Sequence, residues 1–131
     1  MKISRSIGYG LLAVGYIVRH QKEKIILSQD ISKAYNIPLE YLLKIMQQMV
    51  RVNILRSKRG PRGGFSLAKS PNKISMLEVV EAVDGPMTGR LDLAELAPKE
   101  KFSSKIEQAY SKAIAQAKIA FGKIKLSDLV K

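Results

Sequence analysis

The chain has 131 residues, about the size of one domain, and is long enough to bury a hydrophobic core. It carries 23 Lys and Arg against 11 Asp and Glu, and the resulting net charge of +12 favours polyanionic partners. The absence of cysteine and the single histidine, His20, exclude disulfides, thiolate-ligated metals, cysteine nucleophiles and multi-histidine metal sites, so the sequence predicts neither an enzyme nor a metal centre.

The first apolar stretch covers residues 7–18 and is interrupted by three glycines. Its periodicity predicts a first helix from about Ser4 to Arg19. The stretch is too short to span a bilayer, and no small-residue cleavage site follows it. We therefore expect a soluble, cytoplasmic protein with no membrane partner.

Two more helices are predicted before residue 52. The second starts at Ser28, a good N-cap, and ends in a tight break at residues 36–37, after which Pro38 suits the first position of a third helix. The third helix has the clearest periodicity in the chain, and its predicted core residues are Leu39, Leu42, Met46, Met49 and Val50. Two helices joined by a short turn are typical of a helix-turn-helix, although two helices of an ordinary small bundle give the same pattern.

A basic β-hairpin is predicted directly after the third helix. Residues 54–57 and 65–67 are the expected strands, and the glycines and Pro61 between them favour a turn. Residues 44–73 hold eight Lys or Arg and no acidic residue, so the positive charge is concentrated here. We interpret the hairpin as the wing of a winged helix-turn-helix DNA-binding domain over residues 1–85; a solvated turn without function is the alternative.

The C-terminal part is predicted to be helical. Residues 75–78 resemble a capping box that opens a fourth helix ending at Gly85. A loop follows over residues 86–98, with a short helical turn at 91–97, and a long helix then runs from about 99 to 121. Residues 126–129 are expected to form a last turn.

An apolar stripe at nearly heptad spacing runs along the long helix and needs more cover than one small domain supplies. A second subunit is the expected source, and packing on the first helix alone is the alternative. The predicted dimer-interface residues are Ile106, Tyr110, Ala113, Ala117 and Ala120. The fold class is therefore mainly α with a small β-hairpin wing, and residues 99–131 form a dimerisation helix and tail.

With these residues in place, nearly the whole chain resembles the bacterial iron–sulfur cluster regulator (IscR-like) family of winged-helix transcription factors. The resemblance is carried by residues 1–4, 9–11, 37–42, 57–68, 74–85 and 126–129. Its most specific part is the wing segment Ser57–Ala68. The resemblance implies a homodimer that binds a palindromic operator in double-stranded DNA, usually as a repressor.

The resemblance also implies which residues touch DNA. In relatives the start of the third helix reads the major groove, and the matching residues here are Pro38, Glu40, Tyr41 and Lys44. The wing arginine of relatives enters the minor groove, and Arg59 matches it. The full set of expected DNA-binding residues is Ser28, Pro38, Glu40, Tyr41, Lys44, Lys58, Arg59 and Arg62.

The sensing region departs from the family pattern. Relatives place three cysteines in the loop after the fourth helix and at the start of the long helix, where this chain has none. By register, the residues near the expected ligands are Asp92, Pro98, Ser104 and Glu107, which cannot replace thiolates around iron and sulfide. We therefore expect no cofactor. Control is expected from a small molecule near residues 86–98, from a protein partner or from protein abundance.

Two functions remain open. The leading hypothesis is a sequence-specific transcriptional regulator, whose operator cannot be carried over from relatives because Leu43 stands where some of them have a specificity-setting glutamate. The alternative is a structural nucleic-acid-binding protein without sequence preference. Tyr41 and Phe65 would be its only aromatic residues near the basic patch, which is a poor stacking platform for single strands.

Overall fold

A computed structural model describes residues 4–130. Most of these residues are helical, and two strands form one antiparallel sheet, which confirms the predicted fold class. The elements are α1 (Arg5–Arg19), α2 (Ser28–Tyr35), α3 (Leu39–Arg51), β1 (Leu55–Lys58), β2 (Gly64–Leu67), a 3-10 turn (Pro71–Lys73), α4 (Met76–Asp84), α5 (Leu93–Leu96), α6 (Phe102–Lys123) and α7 (Leu126–Leu129). No helix within the described range is long and apolar enough to cross a membrane.

The hydrophobic core lies where α1, α3 and α4 meet. Val14 and Ile17 of α1 and Met46 of α3 are among its fully buried side chains. Gly10 allows α1 to approach α4 closely, because a methyl group there would come within 2.9 Å of Val83 Cγ2. These contacts fix α3 against the rest of the domain and leave its opposite face to solvent.

The break between α2 and α3 is a tight turn, as predicted. Asn36 adopts a left-handed conformation (φ 55°), and the Ser32 hydroxyl donates a 2.5 Å hydrogen bond to the carbonyl of buried Ile37. Two predicted helix starts were wrong by one residue. Ser28 is the first residue of α2, which has Leu27 as N-cap and no capping side chain, and Pro38 is the N-cap of α3, where its carbonyl accepts from the Leu42 N–H at 2.9 Å.

The core face of α3 differs slightly from the predicted one. Leu42, Met46 and Met49 are buried as expected, but the set had left out Ile45, which is also buried. Ile45 packs near Gly10 of α1, a neighbour that the periodicity of α3 alone does not reveal. Leu39 and Val50 are only half-buried.

The hairpin after α3 is anchored to the loop before α2. Its register pairs Leu55 with Leu67 and Lys58 with Gly64. β1 begins and ends one residue later than predicted, and β2 begins one residue earlier than predicted. At the tip, the Gly63 N–H donates to the Gly60 carbonyl at 2.9 Å. Ile26 pairs with Phe65 as an isolated bridge, which the sequence analysis had missed.

The C-terminal helices pack against α4, α1 and the 3-10 turn. Ser75 caps α4 as predicted, accepting a hydrogen bond from the Glu78 N–H at 3.1 Å. α6 is the predicted long helix, although it begins and ends two or three residues later than expected. It packs on α4 and α5, and Ser103 is its one buried residue. The Leu126 N–H donates to the Ile74 carbonyl at 2.9 Å, which ties α7 to the start of α4.

Candidate nucleic-acid interface

A groove of about 360 Å³ separates the wing from α2 and α3. It is lined by Leu27, Ser28, Gln29, Leu39, Leu43 and Gln47 on the helical side, and by residues 57–60 and 63–65 on the wing. Three of the predicted DNA-binding residues, Ser28, Lys58 and Arg59, therefore line one groove. Its apolar lining includes the half-buried Leu39 and Leu43 of α3.

The cations around this groove are not neutralised by neighbouring acids. Lys44, Lys58, Arg59 and Arg62 are all exposed. The ion pairs among residues 4–130 are Lys69–Glu78, Arg90–Asp92 and Lys118–Glu81, and none involves these four cations. Uncompensated charges of one sign beside a concave surface attract ligands of the opposite sign.

The solvent-facing side of α3 presents polar groups. Pro38, Glu40, Tyr41 and Lys44 are all exposed. Gln47 follows Lys44 by three residues, which places both side chains on the same side of the helix, and Gln47 lines the groove. Gln47 was absent from the predicted site, although its three-residue spacing from Lys44 indicated that it shares the same helix face.

Tyr41 is exposed but is also held by α1. Its hydroxyl is hydrogen-bonded to the hydroxyl of Ser6. Its ring meets that of Tyr9 edge to face, with the ring centroids 5.7 Å apart. Tyr41 remains 42% exposed, so α1 fixes its orientation and leaves part of the ring accessible.

The predicted dimer residues share one side of α6 but differ in exposure. Ile106 is 45% exposed, and Ala113 and Ala120 are exposed with it. Tyr110 and Ala117 are half-buried, and Tyr110 lines a cavity within its own chain. The exposed apolar row extends to Phe102, which is 55% exposed and was not in the predicted set.

Hydrogen bonds from side chains hold the loop after α4 in place. The Glu107 carboxylate accepts from the backbone N–H groups of Leu91 at 3.3 Å and Leu93 at 2.7 Å. Glu81 accepts from the Met87 N–H at 2.8 Å, and the Ser111 hydroxyl donates to the Gly89 carbonyl at 2.5 Å. Residues 87–93 are thus fastened to α4 and α6.

His20 lies directly after α1, as the C-cap of that helix. Its Nδ1 donates to the Tyr16 carbonyl at 2.7 Å, and its ring stacks on that of Tyr16 with centroids 4.0 Å apart. The pKa of Tyr16 is raised above its usual value, first by burial and then by the charges of Asp30 and Glu23. These contacts show that His20 packs against the last turn of α1.

A sequence profile of the Rrf2 family, described as iron-dependent transcriptional regulators, matches residues 3–131. The chain belongs to the Rrf2 family. Rrf2 proteins are transcriptional regulators and not enzymes.

Among the curated relatives is a protein of Aquifex aeolicus, named as a candidate HTH-type transcriptional regulator, which is 35% identical over 81 residues. That match covers 62% of this chain and 56% of the relative. The HTH-type transcriptional regulator IscR of Pectobacterium carotovorum is 32% identical over 84 residues, covering 64% of this chain and 51% of IscR. Such alignments span between half and two thirds of the length of the curated relatives.

Solved structures show the same fold. CymR, the global cysteine regulator of B. subtilis, superposes with a TM-score of 0.80 at 21% identity, covering 99% of this chain and 96% of CymR. T. potens IscR superposes with a TM-score of 0.73 at 19% identity, covering 98% of this chain and 85% of that protein. The winged-helix fold is therefore shared with other Rrf2 structures.

The residues of this Rrf2 chain do not fit a cysteine-ligated iron–sulfur cluster. The chain has no cysteine, and no group of three or more His, Asp or Glu within residues 4–130 is arranged to hold a metal ion. Of the residues near the expected ligands, Glu107 is engaged by two backbone N–H groups and Asp92 by Arg90 at 3.1 Å. Pro98 and Ser104 are exposed and offer no soft donor.

Proposed function

We propose that this Rrf2 chain is a sequence-specific transcriptional regulator that binds a palindromic operator in double-stranded DNA as a homodimer. It acts in the cytoplasm as a repressor. Residues 1–85 bind DNA and residues 99–131 form the dimer. The observation that carries this proposal is the groove between α3 and the wing, whose surrounding Lys and Arg residues have no ion-pair partner within residues 4–130.

In this proposal α3 enters the major groove. Residues near the N-terminus of a recognition helix contact base edges, and Glu40, Tyr41 and Lys44 occupy such positions. Lysine recognises guanine O6 and N7, whereas glutamate accepts from cytosine N4. Gln47 extends the same face, and an amide side chain of this kind pairs with adenine N6 and N7.

In the same proposal the wing contacts the adjacent DNA backbone and minor groove. Arg59 stands where β1 ends, and a guanidinium is attracted by the negative potential of a narrow minor groove. Lys58 and Arg62, both exposed, contact phosphates beside it in this proposal. Ser28, the first residue of α2, offers a hydroxyl and a backbone N–H to a phosphate across the groove.

The dimer is proposed to form through α6. This helix has 22 residues, so it is about 33 Å long at ~1.5 Å per residue. Its exposed apolar row steps through Phe102, Ile106, Ala109, Ala113 and Ala120 at three-, four- and seven-residue intervals. Small residues in the middle of such a row permit close approach of a second helix, and a two-fold axis there matches the symmetry of a palindrome.

The test is selection of genomic DNA fragments on the full-length protein, followed by measured affinity for the enriched operator and a shuffled duplex. We expect the operator to bind at least a thousandfold more tightly at physiological salt, at the lower end of specific binders. Arg59→Ala should reduce this ratio, whereas Lys99→Ala, which removes an exposed cation outside the groove, should leave it unchanged. Equal affinity for both duplexes would identify a non-specific nucleic-acid-binding protein instead.

A further inference from the structure

A second cavity lies where α1, α4 and the loop after α4 meet α6. Its volume is about 190 Å³. Ile7, Val80, Met87 and Ile114 form apolar walls, and Asp84 and Tyr110 supply polar groups. Neither the transcriptional role nor the relatives assign any ligand to this cavity.

The electrostatics of the cavity favour a cation. Asp84 is the last residue of α4, where the unpaired backbone carbonyls give a helix its negative end. No basic residue occupies the last turn of α4, and no ion pair within residues 4–130 includes Asp84. The nearby Glu81, by contrast, is engaged by Lys118 at 3.8 Å and by the Met87 N–H at 2.8 Å. The carboxylate and the helix end therefore attract positive charge to the same place.

The size of the cavity limits the ligand. A cavity of about 150 Å³ binds benzene, so a volume of about 190 Å³ suits a ligand of about six heavy atoms. We propose that this cavity binds a small primary alkylammonium, with its ammonium group at Asp84 and its hydrocarbon chain between Ile7, Val80 and Ile114. The apolar walls favour a hydrocarbon chain over an inorganic cation, which would keep its water shell.

The position of the cavity connects it to the proposed DNA surface. Ile7 follows Ser6, whose hydroxyl holds the hydroxyl of Tyr41 on α3. Tyr110 and Ile114 belong to α6, the proposed dimer helix. A ligand in the cavity therefore contacts both the helix that orients a DNA-reading residue and the helix that sets the spacing of the two half-sites. This second step rests on the proposed function, and it makes the alkylammonium an effector of operator affinity.

The binding experiment uses the full-length protein without DNA. Isopentylammonium, with six heavy atoms, is titrated while the backbone amide signals of Ile7, Val80 and Thr88 are followed by NMR. The uncharged isopentanol and the anionic isobutyrate, which also have six heavy atoms each, are titrated beside it. We expect saturable shifts with the ammonium, weaker binding of the alcohol and none of the carboxylate. Asp84→Asn should weaken ammonium binding about fivefold, as expected for a partly exposed charge pair, and Glu95→Gln on α5 should not change it.

The outcomes separate the site from the function. Absent or non-saturable shifts, equal affinity for alcohol and ammonium, or shifts confined to other residues would overturn the site, including the case in which a partner subunit fills the cavity. A second arm measures operator affinity with and without saturating isopentylammonium, and we expect a change of at least fivefold that Asp84→Asn reduces. Binding without that change would overturn the effector role. Binding by a protein that selects no operator would leave the site standing and refute the proposed function.

Discussion

Ile26 and Phe65 exchange both of their backbone hydrogen bonds, each 2.8 Å long, although they lie on opposite sides of the helix-turn-helix in the sequence. Ile26, two residues before α2, thus pairs with β2 through an isolated antiparallel bridge. The wing is joined to the start of α2 by main-chain bonds, which do not depend on the identity of the side chains. We expect this bridge to fix the wing relative to the helix-turn-helix.

Gly64→Ala should break this connection. A methyl group at Gly64 would lie 2.6 Å from the Ile26 carbonyl oxygen and would also clash with the Ile25 side chain. We expect the free energy of unfolding to fall by about 1–3 kcal/mol, as for other over-packed sites, and operator affinity to fall at temperatures where the protein is still folded. Urea unfolding and DNA titration measure the two effects.

Gly8→Ala is the matched control for that substitution. Gly8 lies in α1, and a methyl group there would meet nothing within 4 Å. Replacing an exposed helical glycine by alanine should raise stability by up to ~1 kcal/mol. A Gly64→Ala protein as stable and as tightly bound to DNA as the parent would show that the bridge does not position the wing.

Arg59→Ala and Arg62→Ala should affect DNA binding differently. Losing Arg59 from the minor groove should cost ~1–3 kcal/mol on the operator and reduce discrimination against shuffled DNA. Losing Arg62 from a phosphate should weaken both duplexes alike and lower the salt slope by about 1 when affinity is measured between about 50 and 200 mM salt. An unchanged operator affinity for Arg59→Ala would remove the wing from the interface.

Lys69→Ala provides a charge-matched comparison inside the basic segment. Lys69 is bound to Glu78 at 2.8 Å, so it is not available as a free phosphate contact. We expect its removal to change operator affinity less than the removal of Arg62. The reverse order would indicate that the Lys69–Glu78 pair opens when DNA binds.

Ala113→Glu should convert the proposed dimer to a monomer. A carboxylate at this exposed position would lie in the proposed apolar seam of α6, where it could not be buried without a partner. Sedimentation should show a monomer, and tight binding to the full palindrome should be lost in the same variant. Ala115→Glu adds the same charge two residues later, on a different side of the helix, and should remain dimeric. A monomeric Ala113→Glu protein that still binds the palindrome tightly would refute a dimer requirement.

Glu107→Ala should release the loop after α4. The carboxylate accepts two backbone hydrogen bonds, from Leu91 and Leu93, and leaving such groups unpaired costs about 1–3 kcal/mol. We expect lower stability and faster amide exchange at both leucines. Glu100→Ala, at an exposed position before α6, should do neither. Unchanged exchange at Leu91 and Leu93 would mean that other contacts hold the loop.

Anaerobic incubation with iron and sulfide should leave the protein colourless and its operator affinity unchanged. Cluster assembly needs soft ligands that the chain lacks, and Glu107 is already bound to the backbone. Visible absorption, iron and sulfide analysis and DNA titration measure the result. Stoichiometric iron and sulfide with an altered operator affinity would contradict it.

Much of the fold follows from local chemistry. The glycines and Pro61 of the hairpin specify a turn whatever surrounds them, and the regular spacing of Leu42, Met46 and Met49 specifies a buried helix face. The Ser75 cap forms between residues three apart in sequence, so it too could be predicted from the sequence. The residues expected at the DNA surface, such as Lys44 and Arg59, came from these elements together with a family resemblance, and their roles remain predictions.

The contacts that escaped prediction join residues far apart in the chain. Neither Ser6 nor Tyr41 carries a local signal for their hydrogen bond, which exists because α1 crosses the start of α3. Ile45, by contrast, lies three residues after Leu42 and four before Met49, so the periodicity of α3 could have placed it on the buried face. The cavity beside Asp84 requires four elements to meet, so its existence depends on tertiary packing alone.

Glu107 changes what the cell must provide for the loop after α4. A loop held by a carboxylate and two amide groups needs no iron delivery or sulfur donor for these contacts. Oxygen does not attack such hydrogen bonds. We therefore expect this segment to keep the same structure in aerated and in oxygen-free cells, and in iron-starved and iron-rich ones.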